Sequence, residues 1–211
     1  MQAYPTVEQR KVVIAYARRL RQEVLPAVRA EIVALARSVA EAGAVNVRVK
    51  NIADIMDKVE RMTSGHAGRA ARLEYSVGDV IDAVGARITV ADTQALGTML
   101  AEVRRVFGNR ILELENLYLE LKAPDPTYRV VPMVVAIDVG GQPYTCELQL
   151  TTESASVAAD LGHNTLYKTY VPVEEAERQA ILRAKAEAAA LEQAEARDTL
   201  RAQDTGGREN E

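Results

Sequence analysis

Residues 128–150 constrain the fold more than any other stretch of the chain. The run YRVVPMVVAIDV (128–139) is long and apolar, Gly140 and Gly141 interrupt it, and YTCELQL (144–150) follows. Two strand-like runs on either side of a glycine pair predict an antiparallel hairpin, so the fold must contain a sheet built around it. In the second run Tyr144, Cys146, Leu148 and Leu150 share one face, and Thr145, Glu147 and Gln149 share the other. A carboxylate in mid-strand is costly to bury unless it is paired or binds a cation. The ordinary explanation is a strand with one face in solvent.

The rest of the chain supplies partners for this hairpin. Val13, Ala17, Leu20 and Val24, then Val28, Ile32, Leu35 and Val39, recur at helical spacing, which predicts two helices over residues 6–42 with a joint at Pro26 and a stop at Gly43. AVNVRVK (44–50) reads as a strand with Val45, Val47 and Val49 on one face and Arg48 and Lys50 on the other. Asn51 caps a helix to about residue 62, and residues 63–76 read as a mobile loop. Val84, Ala86, Ile88 and Val90 alternate with Gly85, Arg87 and Thr89 as a half-buried strand, and Asp92 caps the next helix. ILELENLYLELK (111–122) slips phase, predicting a bulge near Glu115 and Asn116. APDP (123–126) is a turn, a helix covers about 152–167, Pro172 breaks it, and an Ala/Glu/Arg helix covers 173–203. The expected fold is α+β: a mixed sheet of about five strands flanked by helices, with helical extensions at both ends. The expected divisions are N-terminal helices (1–43), a central domain (44–171), a C-terminal helix (172–204) and a disordered tail (205–211).

Composition excludes several function classes. The chain has 211 residues and a formal net charge of -4, which disfavours general nucleic-acid binding. With 4% aromatics and no Trp, it lacks the makings of a long base-stacking surface. One Cys and two His supply neither an internal disulfide nor a zinc site. No apolar run is long enough to cross a membrane, and the first residues do not read as a signal peptide. A cytoplasmic protein is the default expectation, and a secreted mature form the alternative. P-loop, dinucleotide-binding, zinc-protease and nucleophile-elbow motifs are all missing.

What remains is a set of charged residues where a sheet should be apolar: Glu147 in its strand, Asp82 just before the strand that holds Arg87, and the basic group Arg48, Lys50 and Lys58. Taken singly, each has an ordinary reading as a solvated face or a surface ion pair. Taken in order, R-x-K, a helix with Lys, D-x-x-G-x-R-I, a Tyr before a β run, and E-x-Q, they resemble the RelA/SpoT nucleotidyltransferase domain, which makes (p)ppGpp-class alarmones. The stretches that carry the resemblance are RVKNIADIMDKVERM (48–62), DVIDAVGARITV (79–90), KAPDPTYRVVPMVV (122–135), CELQLTT (146–152) and AADLGHNTLYK (158–168). It spans roughly residues 45–170 and suits the small, single-domain form.

The resemblance implies transfer of pyrophosphate from ATP to the ribose 3′-hydroxyl of a purine nucleotide, with Mg²⁺. Asp82 and Glu147 would hold the metal, and Glu147 would also be the base for the acceptor hydroxyl. Arg48 and Arg87 would sandwich the adenine of ATP, and Lys50 and Lys58 would hold its phosphates. Tyr128 would stack on the acceptor base, Gln149 would support Glu147, and His163 falls on the family's H-x-x-x-Y-K pattern. The chemistry suits these residue types, because pyrophosphoryl transfer is largely positioning and charge neutralisation.

The chain departs from the pattern on the acceptor side. The family's G-Y-R-S-L-H reads TYRVVP (127–132), so Thr127 replaces a Gly and Pro132 a His; Thr151 stands for an Arg and Gly162 for a Glu. Such departures are similar to those of the actinobacterial nucleotide 3′-pyrophosphokinases and imply broad acceptor use. Three other readings stay open: a toxin acting on a tRNA 3′ end, a nucleotide-binding module without catalysis, and a plain α+β domain whose C-terminal helix binds a partner. Self-association stays open as well.

Overall fold

The computed structural model describes residues 6–39, 42–65, 70–120, 127–162 and 174–206. Thr6 opens helix α1 (Val7–Arg19) through a capping box with Gln9. A π-helical turn, Leu20–Val24, leads directly into α2 (Leu25–Arg37). The expected joint at Pro26 is therefore not a break. Pro26 lies in the first turn of α2, and the preceding Leu25 N–H reaches back five residues to the Leu20 carbonyl. The wider turn accommodates a ring that would clash in a regular helix. All eight helically spaced apolar residues are buried. The helix ends at Arg37, not at Gly43, which already belongs to strand β1 (Ala42–Val49).

Asn51 caps α3 (Ile52–Ser64) by accepting the Asp54 N–H. Strand β2 (Val84–Val90) and helix α4 (Thr93–Phe107), capped by Asp92, follow as expected. Strand β3 (Ile111–Leu114) is shorter than expected. The phase slip has two sources: the ladder to the next strand shifts between Ile111 and Glu113, and the chain turns at residues 117–119. Asn116 accepts the Tyr118 N–H, and Tyr118 enters the core instead of lying in a strand. Strands β4 (Val131–Val139) and β5 (Gln142–Thr152) form the expected hairpin. Gly140 (φ 63°) and Gly141 (φ 81°) take the left-handed conformations its turn requires. The apolar pattern puts Tyr128 at the start of the strand, but β4 begins only at Val131 and Tyr128 precedes it. Helix α5 (Glu153–Gly162) and helix α6 (Glu175–Gly206) complete the chain, so Asp204, Thr205 and Gly206 are helical. Of the expected loop at 63–76, Thr63 and Ser64 belong to α3 and Tyr75 is buried; residues 66–69, the APDP turn, the break at Pro172 and the end of the tail lie outside the described residues.

The five strands form one mixed sheet in the order β1-β2-β5-β4-β3, parallel only between β2 and β5. One face carries Val47, Ala86, Ile88, Leu148, Leu150, Met133 and Val135, and it is covered by α2 and α4. Among the described residues, no helix is long and apolar enough to cross a membrane.

Candidate active site

The other face of the sheet is polar, and strand register decides which of its residues meet. Arg48 on β1 pairs with Gly85 on β2, and Gly85 pairs with Glu147 on β5. One pleat along, Asn46 pairs with Arg87 and Arg87 with Gln149. Side chains of one parity in neighbouring strands stand on one face, so two polar rows lie side by side. Gly85 leaves the space between Arg48 and Glu147 free of any side chain. A Cβ there would have the Glu147 carbonyl oxygen, 3.9 Å away, as its nearest neighbour.

These rows floor a cavity of about 660 Å³ lined by Arg48, Lys50, Asp82, Arg87, Tyr128, Glu147 and Gln149, seven of the nine residues singled out in the sequence. Asp82 lies in the turn that enters β2. It is clasped by Lys50 Nζ at 2.6 Å on Oδ2 and Lys58 Nζ at 2.8 Å on Oδ1. Burial alone would raise the Asp82 pKa, but the hydrogen bonds and charges of the two lysines outweigh it, and the carboxyl is held below its usual range. Lys58 stands behind Asp82 and does not line the cavity itself. Gln149 Oε1 accepts hydrogen bonds from Arg87 Nε (3.3 Å) and a terminal Arg87 nitrogen (3.1 Å). Gln149 thus orients Arg87 directly, a link the sequence reading did not contain. His163 lies outside the described residues.

Pro132 pairs with Gln149 inside the sheet, not at an edge. Its carbonyl accepts the Glu115 N–H, on the side where β3 has just ended at Leu114. An antiparallel residue points its N–H and C=O the same way, so the missing amide costs one bond at the frayed end of that ladder.

Sequence reasoning missed Asn46, Thr89 and Ser156, which also line the cavity. Asn46 and Thr89 were within reach, since each lies two residues from a chosen arginine on the same strand face. Ser156 gave no local signal, because α5 returns over the sheet only in the folded chain. Among the described residues, no three His, Cys, Asp or Glu converge as a metal cluster. Asp82 and Glu147 are the carboxylates of the cavity wall. Such a pair suits a hard cation that takes one or two carboxylates and completes its shell with phosphate oxygens and water.

Residues 47–171 match the model of the region found in RelA/SpoT proteins. The fold matches the small alarmone synthetase 1 of Bacillus subtilis bound to its product pppGpp, at TM-score 0.64 and 20% identity over 87% of this chain and 95% of that one. It also matches a GTP pyrophosphokinase family protein from Streptococcus pneumoniae (TM-score 0.63, 19% identity, 94% and 97% covered). The small alarmone synthetase 2 of Bacillus subtilis is similar too (TM-score 0.61, 17% identity, 94% and 99% covered). No curated protein sequence matches the chain.

Proposed function

The chain belongs to the RelA/SpoT family, and from that premise we propose that it transfers pyrophosphate from ATP to the 3′-hydroxyl of a purine nucleotide. The observation that carries this reading is the single cavity in which Asp82, Glu147, Arg48, Lys50, Arg87 and Tyr128 converge. In the reaction the acceptor 3′-oxygen attacks the β-phosphorus of ATP, the bond from that phosphorus to the α–β bridging oxygen breaks, and AMP leaves. Glu147 takes the hydroxyl proton. Lys50 sets the positive charge that faces the phosphates, Lys58 adds to it from behind Asp82, and Arg48 and Arg87 offer planar guanidinium faces to the adenine, which lysine could not. Mg²⁺ would be held by Asp82 and Glu147 and would neutralise charge on the transferred group. Asp82 is suited to this, because the lysines keep it ionised.

Tyr128 is the aromatic of the cavity wall, and stacking on it tolerates either purine. Pro132 adds no base-reading donor near it, and Thr127 puts a branched side chain where the family has Gly, so adenosine nucleotides should serve as acceptors as well as guanosine ones. The test is incubation with β- and γ-labelled ATP, Mg²⁺ and a panel of ATP, ADP, AMP, GTP and GDP. Transfer of both labels with release of AMP is expected. No transfer to any nucleotide would refute the activity, and a guanine preference above about 100-fold in kcat/KM, roughly 2.7 kcal/mol, would refute the broad acceptor site.

A further inference from the structure

Helix α6 reaches the site through one buried carboxylate. Glu192 is 6% exposed on a helix otherwise rich in solvated charge. Its Oε1 accepts short hydrogen bonds from the Thr152 and Ser154 hydroxyls. Thr152 is the last residue of β5, and its Oγ1 accepts the Ala155 N–H (3.2 Å), capping α5, and the Tyr118 hydroxyl (3.4 Å). The Thr152 N–H in turn donates to Tyr118 Oη at 3.0 Å. The junction between β5 and α5 is thereby tied on both sides, by Tyr118 from the core and by Glu192 from α6. One turn further, Glu195 accepts from Thr93 at the first residue of α4 (3.5 Å). Both carboxylates therefore sit at helix N-termini, where negative charge is favoured.

This junction joins two parts of the cavity. Glu147 and Gln149 lie just upstream on β5, and Ser156 and Ala159 of α5 form a wall downstream. Along β1 the cavity runs from Lys50 through Arg48 and Asn46 to Ala44, about 3.3 Å per residue. The α5 wall stands at the Ala44 end. A Cβ on the adjacent Gly43 would lie 3.6 Å from a Glu153 carboxylate oxygen. The lysine end takes phosphates, so the α5 end is left for the nucleoside of the donor.

We propose that Glu192 is a positioning residue: by clasping Thr152 and Ser154 it fixes α5 against the sheet and so shapes the nucleoside end of the donor pocket. The inference rests on the pyrophosphokinase reading. Glu192→Ala should raise the Kd of a non-hydrolysable ATP analogue, and the KM for ATP, by about tenfold, within the range that misplacement of a binding group produces. The kcat should stay within about threefold, because Glu147 lies on the far side of the clasp. Mere loss of folded protein would do the reverse, lowering apparent kcat with KM unchanged. Glu192→Gln keeps an acceptor oxygen and should restore most of the affinity. Ser154→Ala, at an exposed position, should shift Kd the same way by a smaller factor and covers the case in which Glu192→Ala fails to fold. Amide exchange over residues 153–162 of the nucleotide-free protein should speed up in both alanine variants. Wild-type protein that binds no nucleotide would overturn the functional reading. Wild-type binding with unchanged Kd in Glu192→Ala, or in Ser154→Ala should Glu192→Ala not fold, would overturn the clasp alone, as would unchanged exchange in α5.

Discussion

Neighbouring residues of one strand lead different lives in this molecule. Leu148 is fully buried under the helices of one sheet face, while Glu147 and Gln149 on either side of it line the cavity of the other. The same holds on β2, where Ala86 and Ile88 flank Arg87, and on β1, where Val47 and Val49 flank Arg48. One parity builds the core, and the other lines the cavity proposed to carry the chemistry. The separation works because the covering helices α2 and α4 lie on a single face, so the charged parity is never forced into an apolar layer.

The sharpest break of this comparison is Glu147→Gln. It removes the proposed base and one proposed metal carboxylate while keeping the shape, so pyrophosphate transfer should fall by about 10²–10⁴-fold with the unfolding midpoint unchanged. Activity within threefold of wild type would remove Glu147 from the mechanism. Its neighbour should behave in the opposite way. Leu148→Ala should cost about 2–5 kcal/mol in denaturant unfolding, while the kcat/KM of the remaining folded protein stays near wild type. A large fall in kcat/KM at normal stability would show that the two faces are not separable.

Tyr128→Ala should weaken every acceptor together, by about 1–3 kcal/mol in kcat/KM, since stacking reads no base edge. Selective loss of one purine would contradict it. Arg87→Ala should raise the KM for ATP by about 0.5–2 kcal/mol in binding and leave Gln149 without the donor it orients. Arg87→Lys should recover little, and full recovery would mean that charge suffices without the guanidinium plane. The smallest effect concerns acid stability. Folded Asp82 is more acidic than in the unfolded chain, so its contribution is present above the unfolded pKa of about 3.9 and is lost as pH falls through the folded value. Asp82→Asn should therefore flatten the acid limb of the stability curve, measured as denaturation midpoints between about pH 6 and about pH 3.

Much of this was legible because period two and helical spacing are local properties. The hairpin at Gly140 and Gly141, strand β2, the caps at Asn51 and Asp92 and the parity of Glu147 all follow from neighbouring residues. The errors came where helical or period-two spacing does not carry the deciding feature. Pro26 reads as a break, but the preceding π turn absorbs it. Tyr118 reads as a strand residue, but burial and the Thr152 N–H draw it into the core.

The sequence by itself determined which side chains stand on the polar parity of each strand and which residues start the helices, because both depend on chain geometry over a few residues. Only the tertiary structure decided that β2 lies parallel beside β5, which sets Arg87 against Gln149, sixty-two positions apart in the chain. It alone bent the chain so that Lys50 and Lys58 meet Asp82, and laid α6 so that Glu192 closes on Thr152. These are contacts between segments far apart in sequence. Their energy depends on burial and partners that no local pattern contains.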